Sequence, residues 1–242
     1  MSSRDPFPGR RTFLGTLGLA AFMTRGVFAE ALSETPKSTE GPFYPDKMPL
    51  DTDNDLLLIN DAITPAVGDV TLLGGRILTA SGEPVRNAFV EIWQCDSVGT
   101  YIHSNGLGAK KDANFQGYGR FMTDSTGKYF FRTIKPVPYT LGNVARSPHI
   151  HIAVSRNGRR VLTTQFGIKG HPLNSQDIVF KGLPPRDLSA LLIEFPAVKG
   201  SKAGELSASF DVVLGRTASE GEDGRIQGGL GKAEFTQRPR RQ

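Results

Sequence analysis

The 242-residue chain has one cysteine, one tryptophan, four histidines and five tyrosines. A lone cysteine, Cys95, cannot close a disulfide within the chain, so no disulfide framework braces the fold. Long apolar runs are missing as well. The stretch Phe13–Met23 falls well short of the about 20 residues that span a bilayer. Charge of one sign is scarce: 29 Lys and Arg face 24 Asp and Glu, a net of +5. No basic stripe with interleaved aromatics occurs, which argues against a nucleic-acid partner. No long stretch keeps a 3.6-residue apolar period, and Asp187–Leu192 offers one short helical turn at most. The His-Glu-x-x-His and His-x-Asp patterns are absent too, so zinc-hydrolase templates and the His-x-carboxylate half of an Fe(II) facial triad do not apply.

What is present divides into four segments. Residues 1–31 carry Arg10-Arg11-Thr12-Phe13-Leu14, an apolar stretch, and the small-x-small sequence Ala29-Glu30-Ala31. This reads as a signal peptide of the twin-arginine type, a route that exports folded proteins. A periplasmic or secreted protein without a membrane anchor after processing is expected. Residues 32–69 begin with a Pro-, Gly- and Ser-rich stretch and read as an extended arm. From 70 to 215 the pattern is β, with short apolar runs such as "NAFVEIWQ", "KYFFRTI", "HIHIAV" and "LSASFDVVL" between turn signals. Asn157-Gly158 is a strong hairpin signal. Many short strands with regular turns imply an all-β fold, a β-sandwich or barrel in one domain. Residues 216–242 are rich in Gly and charge and read as a flexible tail or an arm that orders on a partner subunit.

The chemistry concentrates in "RSPHIHIAV", Arg146–Val154. Side chains alternate across a strand, so His149 and His151 share a face while Ile150 points into the core. Two imidazoles on one face form either a bidentate metal clamp or a pair satisfied by hydrogen bonds at a sheet surface. Tyrosine is the other feature. Tyr139 closes "IKPVPY" and Tyr101 closes "WQCDSVGTY", both at strand-end loops, where sites are commonly built. A phenolate is a hard anionic ligand with a free pKa of about 10, and Fe(III) suits it better than Zn(II). Cys95 reads as a small buried apolar residue. Trp93, Tyr118 and Tyr129 read as core, and His103 and His171 as loop and turn residues.

Together "VEIWQCDSVGTY", "GYGRFMTDSTGKYFFRTIKPVPY", "RSPHIHIAV" and "TTQFGIKGHPL" resemble the intradiol ring-cleaving dioxygenases over roughly residues 38–180, and more weakly to about 215. The resemblance implies a transthyretin-like β-sandwich. It implies a non-haem Fe(III) held by Tyr101, Tyr139, His149 and His151, with O2 as co-substrate. It also implies that a catechol binds in place of a hydroxide and of the tyrosine matching Tyr101, and that the ring opens between its hydroxyl-bearing carbons to a cis,cis-muconate-type product. Arg146 would stabilise charge on the ring, and Gln165 would line the same cavity. A two-residue Asn-Gly turn continued regularly pairs His149 with Phe166 and turns Gln165 away, whereas a three-residue loop pairs His149 with Gln165 on one face. The arm motif "TEGPFYP" would bring Pro42 and Tyr44 to the substrate. Cys95 replaces a smaller family residue, and the link from Tyr139 to Arg146 is short, which leaves the choice of catechol open. A homo- or hetero-oligomer is expected.

Two other readings compete. A non-catalytic transthyretin-like binding module of the periplasm would need no iron. A copper or zinc protein would use His149, His151 and His171.

Overall fold

The computed structural model describes residues 32–59, 64–106 and 111–215, together with the backbone of 219–220 and 226–227. The expected signal peptide lies outside the described residues, as does most of the expected tail. No helix among the described residues is long and apolar enough to cross a membrane.

Short apolar runs bounded by turns do form strands. They are β1 (Val70–Thr79), β2 (Phe89–Trp93), β3 (Tyr118–Met122), β4 (Lys128–Ile134), β5 (Tyr139–Leu141), β6 (Val144–Arg146), β7 (His149–Arg156), β8 (Arg159–Ile168), β9 (Leu192–Ile193), β10 (Leu206–Ser209) and β11 (Val212–Leu214). In the tail, β12 (Ser219–Glu220) and β13 (Ile226–Gln227) pair antiparallel. One sheet runs β3-β2-β7-β8-β9, and β5 and β6 form a separate hairpin. In the other sheet β1 is central. It pairs antiparallel with β4 on one edge and in parallel with β10 and then β11 along the other. The ten-residue β1 is long enough to serve both short partners in turn. Between them the chain presses on Gly75, where a Cβ would fall 2.1 Å from the Phe210 carbonyl oxygen.

The core fills the space between the sheets. Leu73, Ile77, Phe131 and Val212 from one sheet meet Val90, Ile92, Ile150, Ile152 and Phe166 from the other, all inaccessible to solvent. Phe166 and Phe210 stack across the layers with ring centroids 4.4 Å apart. The arm belongs to this core more than an extended strap would. Leu56 and Leu57 are fully buried in it, and backbone bonds join Leu32 to Ala80, Thr35 to Val213 and Ser38 to Thr163. The helical element is longer than expected: α1 (Pro185–Leu191) makes about two turns. Tandem prolines, Pro184 at the N-cap and Pro185 in the first turn, preset its backbone without needing their missing N–H groups, and Asp187 favours the helix N-terminus.

Two features of the β7–β8 hairpin position the site. The Asn157-Gly158 turn is the expected two-residue turn, pairing Arg156 with Arg159 and Ser155 with Arg160. Both turn residues take positive φ, 50° and 72°, the geometry that Asn-Gly accommodates. The ladder then slips by one residue, so Val154 faces Leu162, His151 faces Gln165 and His149 faces Gly167. Val161 is therefore the extra residue of a β-bulge. Neither register expected from loop length alone occurs. The bulge combines a two-residue turn with Gln165 on the histidine face.

Candidate metal centre

β7 is buried on both faces. Its even positions, Ile150, Ile152 and Val154, enter the inter-sheet core. The odd positions, His149, His151 and Ala153, face outward, into a second cluster closed over by the arm and the strand-end loops. That cluster consists of Phe43, Trp93, Cys95, Tyr101, Tyr118, Tyr139 and Ala153.

Four donor side chains meet there. His149 Nε2 lies 3.2 Å from His151 Nε2 and 3.4 Å from the Tyr101 hydroxyl. The Tyr101 and Tyr139 rings meet edge to face at 5.3 Å, and the Tyr139 and His149 rings are 5.5 Å apart. His149 Nδ1 sits 2.6 Å from the Ser147 carbonyl oxygen. A carbonyl only accepts, so Nδ1 carries the proton and the Nε2 lone pair faces the cluster. This is how a metal-ligating imidazole is commonly set. His151 stacks on Trp93 at 4.8 Å and 9°, and its Nδ1 has no partner. Packing rather than a second hydrogen bond therefore orients that ring.

The electrostatics suit a cation. Burial, reinforced by the Arg146 charge, pushes His149 down to about 4. Burial, His149 and Arg146 hold His151 well below the usual range. Burial raises both phenols, while at Tyr139 the Arg146 charge and then a hydrogen bond with Tyr101 oppose the rise. Without a metal the four groups are neutral: two nitrogen and two oxygen donors aimed at one another. The donor set fits a hard trivalent ion, which can hold two phenols as phenolates.

Arg146, on β6 opposite Tyr139, divides its guanidinium among three partners. Its Nε donates to Asp177 at 2.9 Å, one terminal nitrogen to the Tyr139 hydroxyl at 3.2 Å, and the other to Gln165 Oε1 at 2.6 Å. Gln165 in turn donates to Ser38 of the arm at 3.1 Å. Burial alone would raise the Asp177 carboxyl, but Arg146 and the Ser147 amide outweigh it and hold it below the usual range. Arg146, Gln165 and Asp177 are all at least nine-tenths buried.

The predicted set Tyr101, Tyr139, His149, His151, Arg146 and Gln165 is thus gathered in one place. Of the two arm residues, Tyr44 packs against the edge of the same cluster. Pro42 is exposed and Tyr44 turns its hydroxyl to Glu91, while Phe43 between them is buried and stacks on Tyr101 at 4.9 Å. In an extended arm the middle residue points opposite to its neighbours, and that alternation signals Phe43. His171 caps a 3-10 turn at Pro172–Ser175. Among the described residues no group of three or more His, Cys, Asp or Glu is placed to hold a metal ion, so His171 does not join His149 and His151. Sequence reasoning missed Asp177, Ser38 and the stacking role of Trp93. Only the unusual burial of a carboxylate could have marked Asp177, and that is not visible in sequence.

The family model described as "Dioxygenase" matches residues 39–216. The chain belongs to the intradiol ring-cleavage dioxygenases. It is 37 % identical over 199 residues to the protocatechuate 3,4-dioxygenase beta chain of Burkholderia cepacia, covering 78 % of this chain and 83 % of that one. It is 34 % identical over 160 residues to catechol 1,2-dioxygenase 1 of Acinetobacter lwoffii, covering 60 % and 50 %. It therefore spans most of the former and half of the latter. Among solved structures, the dioxygenase domain of a dioxygenase–carbohydrate-binding fusion from Streptomyces sp. SirexAA-E superposes with a TM-score of 0.55 at 26 % identity, covering 76 % of this chain and all of that domain. As an intradiol dioxygenase the chain is an oxidoreductase that cleaves catechol-type rings, on a β-sandwich as expected. A non-catalytic binding module finds no support among these relatives.

Proposed function

We propose that this dioxygenase holds a non-haem Fe(III) on Tyr101, Tyr139, His149 and His151 and inserts both atoms of O2 between the hydroxyl-bearing carbons of a catechol, giving a cis,cis-muconate-type diacid. The supporting observation is the convergence of two phenols and two imidazoles, with the His149 lone pair fixed inward by Ser147. When bound, the ferric ion supplies a Lewis acid that draws electron density from the catecholate ring.

The chain's own residues do the rest. A catechol must lose two protons to bind through both oxygens. Tyr139 is suited to leave as a phenolate, because its oxygen already receives a hydrogen bond from Arg146; once released it would take up one catechol proton, and solvent hydroxide would take the other. Tyr101 has no such cationic donor. We therefore assign the exchanging role to Tyr139, in place of the Tyr101 expected from the resemblance. The Arg146 guanidinium stabilises negative charge on the ring, an electrostatic contribution commonly worth a factor of about 10² or more. Gln165 and Asp177 keep it aimed. Phe43 and the arm exclude water.

Export by the twin-arginine route, with loading of the metal before passage, is proposed from residues 1–31 alone. An oligomer, with itself or with a second chain type, is proposed from the relatives. Protocatechuate, catechol and hydroxyquinol are the substrates to compare.

The test is the visible spectrum and iron content of the aerobically purified protein. A red-brown colour that shifts on adding a catechol is expected. Tyr139→Phe should bleach most of it, whereas Tyr129→Phe, whose hydroxyl donates to the Phe210 carbonyl, should not. A colourless wild-type protein carrying zinc would overturn the assignment.

A further inference from the structure

We propose that Arg160 is a positioning residue that latches the arm onto the metal-facing side of the sheet, a role that rests on the functional reading above. In an unbroken strand Arg160 and Gln165, five positions apart, would face opposite sides. The bulge at Val161 brings them to the same side, with Arg160 opposite Ser155 and Gln165 opposite His151. One irregularity thus delivers two devices to the face that carries the histidines.

Arg160 has three partners. It donates to Glu40 of the arm at 2.8 Å, to Glu91 of β2 at 2.9 Å and to the Tyr44 hydroxyl at 3.2 Å. Its guanidinium carbon also lies 5.0 Å from the centre of the Tyr44 ring. Glu91 accepts from Tyr44 at 2.8 Å and from Tyr118 at 2.6 Å. The arm is therefore pinned at Glu40 and at Tyr44. Between these pins, Gly41 and Phe43 are held against the proposed ligands. A Cβ on Gly41 would lie 3.2 Å from His151 Cε1, and Gly41 has φ +76°, a conformation that favours glycine. Phe43 stacks on Tyr101. Tyr44 meets Trp93 edge-on at 5.0 Å, and Trp93 carries His151 on its face. The orphaned Nδ1 of His151 makes this packing important, because no hydrogen bond fixes the ring from behind.

A planar fork that joins two carboxylates and a phenol is specific to arginine. Three proteins test the latch: wild type, Arg160→Met, and the double variant Arg160→Met/Glu91→Gln, which avoids leaving a second unpaired buried charge. The first readout is amide hydrogen exchange of the metal-free proteins. In both variants the amides of Gly41, Phe43 and Tyr44 should exchange faster by about tenfold or more, with β2 and β7 unchanged. The second readout is kinetics of the iron-loaded enzyme with catechol. KM should rise by about fivefold or more while kcat falls less, and Arg160→Lys should recover part of the loss. Wild-type exchange rates in the arm of both variants would overturn the proposal, as would an equal rise across β2 and β7. If wild-type protein takes up no iron, the functional reading fails, but the exchange experiment still decides whether Arg160 holds the arm.

Discussion

Asp177 and Arg146 form a buried ion pair that orients an arginine already committed to Tyr139 and Gln165. The carboxylate also accepts from the Ser147 amide at 2.8 Å and from the amides of Val179 and Phe180, so its position is fixed from the protein side. Asp177→Asn keeps the shape and loses the charge. It should lower kcat by about 10- to 100-fold and leave the visible band in place, since no proposed ligand is altered. Steady-state kinetics beside an absorption spectrum checks this, and loss of the band would mean that Asp177 supports the ligands themselves. The histidines make a second prediction at this scale. Both are held neutral, His149 at about 4 and His151 well below its usual range, whereas in the unfolded chain they titrate near 6.5. As pH falls below about 6.5 the unfolded state takes up protons that the folded state refuses. Metal-free protein is therefore at full strength above that pH and loses up to about 1.4 kcal/mol per histidine per unit between there and about 4. Urea midpoints at pH 7.5, 6 and 5 should decline in order. Replacing both histidines with asparagine should flatten the decline.

Within the elements, β7 was the most legible part of the molecule. Alternation alone places His149 and His151 on one face and Ile150 in the core, because the period of a strand is two. The strands flanking it were legible for the same reason. Their partners were less so: β10 and β11 share one edge of β1 in parallel, and two short apolar runs near the end of the chain give no sign of which edge they will join. The bulge was hidden because Val161 is an ordinary β-former, and a slip of the ladder leaves no mark in composition. Its effect on parity can be tested. With the turn kept, deleting Val161 makes the ladder regular and still leaves Gln165 opposite His151 and Arg160 opposite Ser155. The deletion should keep the visible band and hold catalysis to within about tenfold of wild type, while lowering stability, because Val161 packs against the core. A loss of more than about a hundredfold would show that the bulge is needed for its own geometry and not only for the face it selects.

At the scale of the whole fold, the apolar side chains of the described residues form two clusters rather than one. The larger lies between the sheets and contains none of the proposed ligands. The smaller, on the outer side of β2 and β7, contains Tyr101 and Tyr139 and is closed by Phe43 of the arm. Its members come from the arm, β2 and the segment after it, β3, the β5–β6 hairpin and β7. A ferric ion there would tie Tyr101 to His151 across fifty residues of chain, while the inter-sheet core owes it nothing. Iron binding only to the folded state adds stability by mass action, and this stability should be local. Stripping the metal with a chelator under reducing conditions should leave the far-UV spectrum of the β-sandwich intact and lower the melting temperature. Exchange should speed up at the amides of Tyr101, Tyr139 and the arm, but not at Ile150, Ile152 or Phe166. If the chelated protein instead lost its strand signal, the two clusters would be one cooperative unit and the metal would belong to the folding core. If exchange at Tyr101 and Tyr139 did not change at all, the cradle would be rigid before the ion arrives, held by Arg146, Ser147 and the arm alone.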